Sequence, residues 1–299
     1  MDTMTIVWEG HDGSSWSLLD PFSPVRLASL EGFGMPTFTT QFSATGARDG
    51  RRYEGTIWGH SAAVMTVFVG DDYPAPGFRS QRRGDDWRAL DAQFRKSLSP
   101  EFEGRLVVTT GAGRRMMRLR LERPVEMPAR NSAEVGQAIY ALSMTADDHP
   151  WWEGDVVTEV YEWDDPSEPF YGGPTGEDLF YISGAGQTND ATITNPGERA
   201  AWTRWWARGP VSSVTVGVGG LFVPLPFALG DGDEVHVDSE LQTITSGLGE
   251  NLWPKMGFAD PTFAPIRSGE KIPINLVLND PAAGAAVGFE LTPLYEAPW

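Results

Sequence analysis

The chain contains no cysteine. Disulfide cross-links, zinc–thiolate sites and a cysteine nucleophile are therefore excluded. Stability has to come from packing or from assembly with other chains. No apolar run approaches the roughly 18 residues that span a bilayer as a helix. The start, MDTMTIVWEGHDG, lacks the basic and apolar regions of a secretory leader. The expectation is a chain that folds in a cytoplasm and does not enter a membrane. Histidine is scarce as well. His11, His60, His149 and His236 stand far apart, and none has a second histidine at metal-ligand spacing. The common catalytic signatures are missing too: no G-x-S-x-G elbow, no H-E-x-x-H helix and no phosphate loop ending in Gly-Lys-Ser/Thr. GVGG at 217–220 lacks the lysine and sits in a strand pattern, so it reads as a bulge or a close backbone approach. DGDEVHVD at 231–238 lacks the sixth-position glycine and closing glutamate of a calcium loop. It reads as a turn followed by a strand through Val235 and Val237. No metal, no cofactor and no enzymatic activity are expected. With 41 Asp and Glu residues, no glycosidase-type carboxylate pair can be singled out.

Basic residues are missing from one stretch. Residues 131–198 hold no Lys or Arg and 14 acids, whereas residues 1–130 carry a net +1 and residues 199–299 a net −5. The total of −18 argues against tight binding to nucleic acid phosphates. The acidic middle is either a solvated face or the partner of a basic surface.

What is present points to strands. Across 299 residues there are 34 Gly and 23 Pro, which suit many short strands and turns. The sequence 56–72 is strand-rich. GDDWRALDAQFRKSLSP (84–100) predicts the one clear helix, because Trp87, Leu90, Phe94 and Leu98 recur at helical spacing. Asp85 or Asp86 is expected to cap its start, and Pro100 ends it. RLVVTT (105–110) and RRMMRLRLER (114–123) predict a hairpin turning at Gly111-Ala112-Gly113. Met117, Leu119 and Leu121 then share one face, and Arg118 and Arg120 the other. This arginine strip is either an exposed strand face or a surface that meets acids of residues 131–198, in the same chain or another copy. Beyond a Pro/Gly-rich acidic stretch, Val214/Val216/Val218, Ile272/Ile274/Leu276/Leu278 and Val287/Phe289/Leu291 alternate as in a β-sandwich.

Two tryptophan groups stand out. In ERAAWTRWWARGP, Trp202, Trp205 and Trp206 share one face if helical. If the segment is a strand, Trp202 and Trp206 point one way and Trp205 the other. They are core or subunit-interface anchors, or alternatively Trp202 and Trp206 stack on sugars. MTADDHPWWEGDVVTEVYEWDD (144–165) raises metal, sugar and seam readings. Its position after the last strand of the first half favours a seam, with Pro150 fixing a turn and Trp151 and Trp152 as anchors where domains or subunits meet.

The order of these features is similar to the distal tail proteins of long-tailed bacteriophages, also called minor tail proteins. The landmarks are TADDHPWWEGD, ITNPG, GDEVHVD, RSGEKIPINLVL and the terminal aromatic strand AAVGFELTPLY. The resemblance implies a mainly β fold with one or two helices: a ring-forming domain over 1–165, a linker over 166–190 and a galectin-like β-sandwich over 191–299. It further implies a homo-hexameric ring in the virion that joins the tail tube protein to the tail-tip hub protein. The ring would leave a channel for the tape measure protein and then DNA, without sequence-specific nucleic acid binding. Arg118, Arg120, Trp151, Trp152, Trp202, Trp205 and Trp206 would serve subunit or domain contacts. The alternative is a host-surface carbohydrate-binding protein acting through Trp202 and Trp206.

Overall fold

The computed structural model describes residues 4–44, 49–71, 82–127, 131–163, 186–187 and 191–299. The described residues are mostly strand and form two compact units, each with its own hydrophobic core. The first comprises Met1–Gly154 together with Tyr295–Trp299, and the second Asp155–Leu294.

The strands of the first unit are β1 (Thr5–Glu9), β2 (Ser15–Ser17), β3 (Val25–Glu31), β4 (Phe38–Ser43), β5 (Arg52–Trp58), β6 (Ser61–Gly70), β7 (Gly104–Thr110), β8 (Gly113–Leu121), β9 (Gln137–Ala146) and β10 (Trp152–Gly154). Its helices are α1 (Asp85–Lys96) and the single turn α2 (Ser132–Val135). The main sheet runs β2-β1-β7-β8-β9-β6-β3, with β10 added on β8. The β7–β8 hairpin forms as its alternation predicts: Met117, Leu119 and Leu121 are buried, and Arg118 and Arg120 face away from the core. Only Arg120↔Thr145 and Leu121↔Met144 join β8 to β9, so the sheet has two halves. One core cluster draws on both halves and on α1 through Trp8, Leu106, Met117, Met65, Leu142 and Phe94. Helix α1 buries Trp87, Leu90 and Phe94, the predicted apolar face. Its cap differs from expectation. Gly84 occupies the N-cap with no side-chain cap bond, and Asp85 and Asp86 instead lie in the first turn, where negative charge favours the helix dipole.

The second unit contains β11 (Val157–Glu162), β12 (Gly186–Gln187), β13 (Thr192–Thr194), β14 (Thr203–Arg208), β15 (Ser213–Val218), β16 (Leu221–Leu225), β17 (Glu234–Asp238), β18 (Thr243–Ser246), β19 (Lys271–Asn279) and β20 (Ala286–Leu291). They form one sheet in the order β11-β20-β14-β17-β18 and a second in the order β12-β19-β15-β16, with β13 added on β19. Side chains of both sheets, including Phe289, Trp205, Val216 and Leu276, share one core cluster, which makes this unit a β-sandwich.

The compact units divide at Gly154/Asp155, since β11 pairs along its length with β20 of the sandwich, from Val157↔Leu291 to Glu162↔Ala286. The C-terminal end is also divided. Strand β21 (Leu294–Tyr295) pairs with β10, and Tyr295–Trp299 belong to the first unit. The proposed linker lies outside the described residues except for Gly186 and Gln187.

The β15–β16 turn explains GVGG. Gly219 and Gly220 have φ of 60° and 83°, the left-handed pair of a tight two-residue hairpin. Gly217 is the close approach: a Cβ there would lie 1.9 Å from the Leu221 carbonyl oxygen. The atoms it would meet are backbone of Leu221 and Phe222, which cannot yield as a flexible side chain would. Gly217→Ala is therefore expected to destabilise the sandwich by roughly 1–3 kcal/mol. Chemical denaturation of the variant checks this, and an unchanged midpoint would refute it.

Candidate assembly surfaces

The paired tryptophans of the acidic run both make contacts inside the first unit. Trp152 is completely buried, its indole Nε1 donates to the Phe33 carbonyl at 3.0 Å, and its ring lies 6.3 Å from that of Phe33. Trp151 is half-buried and packs edge-on against Trp58, with ring centroids 5.0 Å apart. Phe33 precedes β4 and Trp58 ends β5. The two tryptophans therefore hold both roots of the β4–β5 hairpin.

That hairpin is a separate two-stranded sheet. It enters after β3 and leaves into β6, and at its root the Thr37 N–H donates to the His60 carbonyl while the Gly59 N–H donates to the Thr37 carbonyl. Phe38 opposes Trp58, and after a bulge at Gln41/Phe42, Phe42 opposes Tyr53. Both pairs are ring contacts, at 5.4 Å and 6.1 Å. Thr40 and Thr56 lie between them, and the Tyr53 hydroxyl sits 2.7 Å from the Thr56 hydroxyl. The result is an aromatic face on an arm whose Phe38, Tyr53 and Ile57 are each more than half exposed. The sequence offered a signal for this arm, the alternation of Phe38, Thr40 and Phe42, but a short alternating run does not show that neither sheet core claims it.

The arginine strip meets acids of the same chain. The Arg118 Nε lies 3.1 Å from the carboxylate of Glu153, which is almost fully buried, and its Nη2 donates at 3.2 Å. The Arg120 Nε donates to Asp147 at 2.7 Å and its Nη1 to the Pro100 carbonyl at 3.1 Å. Of the two neighbours that the strip could meet, the structure shows the intrachain one, drawn from the acidic middle. Arg115, not singled out from the sequence, holds the returning C-terminal residues. Its guanidinium lies 3.9 Å over the Tyr295 ring, and its Nη1 donates to the Ala297 carbonyl at 2.7 Å.

In the second unit the triple-tryptophan segment is strand β14. Trp205 is buried against Phe289 with rings 5.3 Å apart, and its Nε1 donates to Thr203 at 2.9 Å. Trp202, just before the strand, and Trp206, on the outer face, are half-buried. Trp206 lies on Gly288 so closely that a Cβ there would meet the indole at 2.4 Å. Arg208 stands 5.5 Å from the Trp206 ring. Arg204 and Asp238 pair at 2.9 Å, as do His236 and Glu234.

A cleft of about 410 Å³ in the first unit is lined by Glu9, His11, Ser14, Glu103 and Arg105, among others. His11 stacks on Phe102 at 5.4 Å. The Asp12 carboxyl beside the cleft is held below its usual range, chiefly by the Ser14 hydroxyl that it accepts at 2.6 Å. Among the described residues, no three His, Asp or Glu converge as metal ligands, and no helix is long and apolar enough to cross a membrane.

No protein-family model matches the sequence, and no curated protein matches it significantly. Solved structures do match the fold over nearly its whole length. The Dit protein (gp 19.1) of phage SPP1, described as a paradigm of the hub adsorption apparatus in phages infecting Gram-positive bacteria, shares 12% identity at a TM-score of 0.55, covering 96% of this chain and 98% of that one. A chain of the phage P2 baseplate in its calcium-activated conformation gives 12% identity and a TM-score of 0.53, covering 98% of both chains. The strontium form of that baseplate gives 12% identity and a TM-score of 0.52, with 98% of both chains covered. The chain thus shares the fold of phage tail-tip and baseplate proteins.

Proposed function

We propose that the chain is a structural component of a bacteriophage tail tip. Six copies form a ring that joins the tail tube to the tail-tip hub and leaves a channel for the tape measure and DNA. The first unit forms the ring, and the sandwich is a galectin-like domain carried by it. One observation carries this reading: the likeness spans both units in the same chain order and almost the full length of proteins described as hub or baseplate components. Excess negative charge suits a wall that DNA passes without sticking.

The test is the mass of the purified chain and of the particle extracted from virions. The expected result is a species six times the 32.7 kDa chain, with six-fold symmetry by electron microscopy. A protein that is monomeric at all concentrations and missing from virions would overturn the reading.

The second reading, glycan binding by the sandwich, draws on the outward Trp206 indole lying flat on Gly288. Sugar sites pair such a platform with free hydrogen-bonding groups, whereas here Arg204, His236 and their carboxylates are paired with each other. Host-glycan binding by the chain that disappears in Trp206→Ala would reverse this preference.

A further inference from the structure

The β4–β5 arm has no structural reason to stand alone. A two-stranded hairpin is at best marginally stable in water, and this one exposes Phe38, Tyr53 and Ile57 at 56%, 57% and 55%. Its root, by contrast, is fixed. Trp152 is locked to the Phe33 carbonyl at one end, and Trp151 is packed on Trp58 at the other. A rigid root under an exposed aromatic face is the construction of a binding element, because little ordering remains to be done on docking.

The same unit carries a second uncovered apolar surface. On the sheet β9-β6-β3, Met65, Val67, Tyr140 and Leu142 face the core. Their alternates face outward. There Phe68 is paired with Ile139, which is 65% exposed, and the neighbouring Ala141 is exposed as well. Arg26 lies 4.6 Å over the Phe68 ring, and on the arm Arg51 lies 3.6 Å over Phe42. Each surface is thus apolar, with a guanidinium stacked on a ring at its margin.

We infer that the arm docks on the outer β9-β6-β3 face of a second copy of this chain. Donor and acceptor are different surfaces of one unit, so the contact is head-to-tail and repeats until a ring closes. Size supports a ring rather than a pair. Taking about 200 Å² for each aromatic side chain, the exposed fractions of Phe38, Phe42 and Tyr53, the rings of the aromatic face, amount to roughly 300 Å², or about 600 Å² counting both partners. That is below the roughly 1,200 Å² at which specific two-body complexes begin. One contact alone is weak, whereas a closed ring gives every copy two. The assembly should therefore pass from monomer to ring with little dimer between. This inference rests on the ring reading above and names the surface that makes the ring.

The test uses the full chain. Phe38→Asp/Tyr53→Asp alters the arm, and Ile139→Asp alters the receiving face. All three side chains are exposed, so the melting temperature should stay at the wild-type value and report an intact fold. Sedimentation velocity should show that each variant needs at least about 100-fold more protein to assemble, the effect of placing a charge in an aromatic hot spot. Because the chain has no cysteine, Tyr53→Cys and Ile139→Cys chains can be mixed and treated with a short bismaleimide. Covalent dimers should form only in the mixture. If wild type assembles and both charged variants assemble equally well without cross-linking, the arm inference fails and the ring reading stands. If wild type stays monomeric at every concentration and is missing from virions, both fail.

Discussion

Trp152→Ala is expected to destabilise the first unit by about 3–5 kcal/mol, the usual cost of removing a fully buried large aromatic. The indole has no exposed surface and packs on Phe33. Truncation leaves a cavity beneath the arm root and strips the Phe33 carbonyl of the donor at 3.0 Å, which adds the cost of an unmatched buried acceptor. Trp152→Phe keeps most of the volume but not the N–H, so it should fall between wild type and alanine. Urea denaturation followed by tryptophan fluorescence measures both, and a loss below about 1 kcal/mol for alanine would show that the site is not tightly packed. The neighbouring Trp151→Ala separates stability from assembly. Trp151 is only half-buried and packs edge-on against Trp58, so its removal should cost less stability than that of Trp152 while loosening the arm.

Much of the fold was legible because it is written in local periodicity. The spacing of Trp87, Leu90 and Phe94 marks α1, and period-two alternation marks β15, β19 and β20. The mainly β class follows from these runs and from the turn residues. What was not legible depends on pairing across long separations. Strand β11 reads as part of an acidic link because Glu159 and Glu162 interrupt its apolar residues, yet it is the outer strand of the sandwich through its ladder with β20. Nothing local in Tyr295–Trp299 shows that these residues rejoin the first unit, since the reason lies in Arg115 and β10 far upstream. The tryptophan pair at 151 and 152 stood out in the sequence as a candidate anchor of a domain or subunit seam. What it anchors, the root of the arm, required the positions of Phe33 and Trp58. Likewise the arginine strip was visible as a charge pattern, but only the fold shows that Glu153 and Asp147 of the same chain engage it.

The second large effect concerns a buried polar cluster that no motif marks. Asp91 of α1 is almost fully buried, accepts the Tyr140 hydroxyl at 2.5 Å and pairs with Arg95 at 2.7 Å. The carboxylate thereby ties the helix to β9. Asp91→Ala removes the acceptor from a buried hydroxyl and the counter-charge from a guanidinium that keeps access to water, and is expected to cost about 1–3 kcal/mol. Asp91→Asn keeps an acceptor for Tyr140 and should cost less. Equal losses in the two variants would mean that the charge on Asp91, not the hydroxyl bond, carries the effect. The same cluster sets an alkaline limit. Burial, and secondly the bond to Asp91, push the Tyr140 hydroxyl well above its ordinary value of 10. A folded-state value raised in this way gives stability that is fully present below pH 10. Above pH 10 the unfolded chain releases a proton that the native chain retains, so stability falls by up to about 1.4 kcal/mol per pH unit for this one group. Tyr140→Phe removes the titrating group, so the alkaline slope should shrink even though the variant is less stable at neutral pH, where Asp91 is left without its donor. Denaturation midpoints measured between pH 8 and pH 11 compare the slopes. An unchanged slope in Tyr140→Phe would locate the alkaline limit elsewhere, with Tyr161 of the sandwich next in line: burial and its 2.6 Å bond to Glu159 raise it in the same direction.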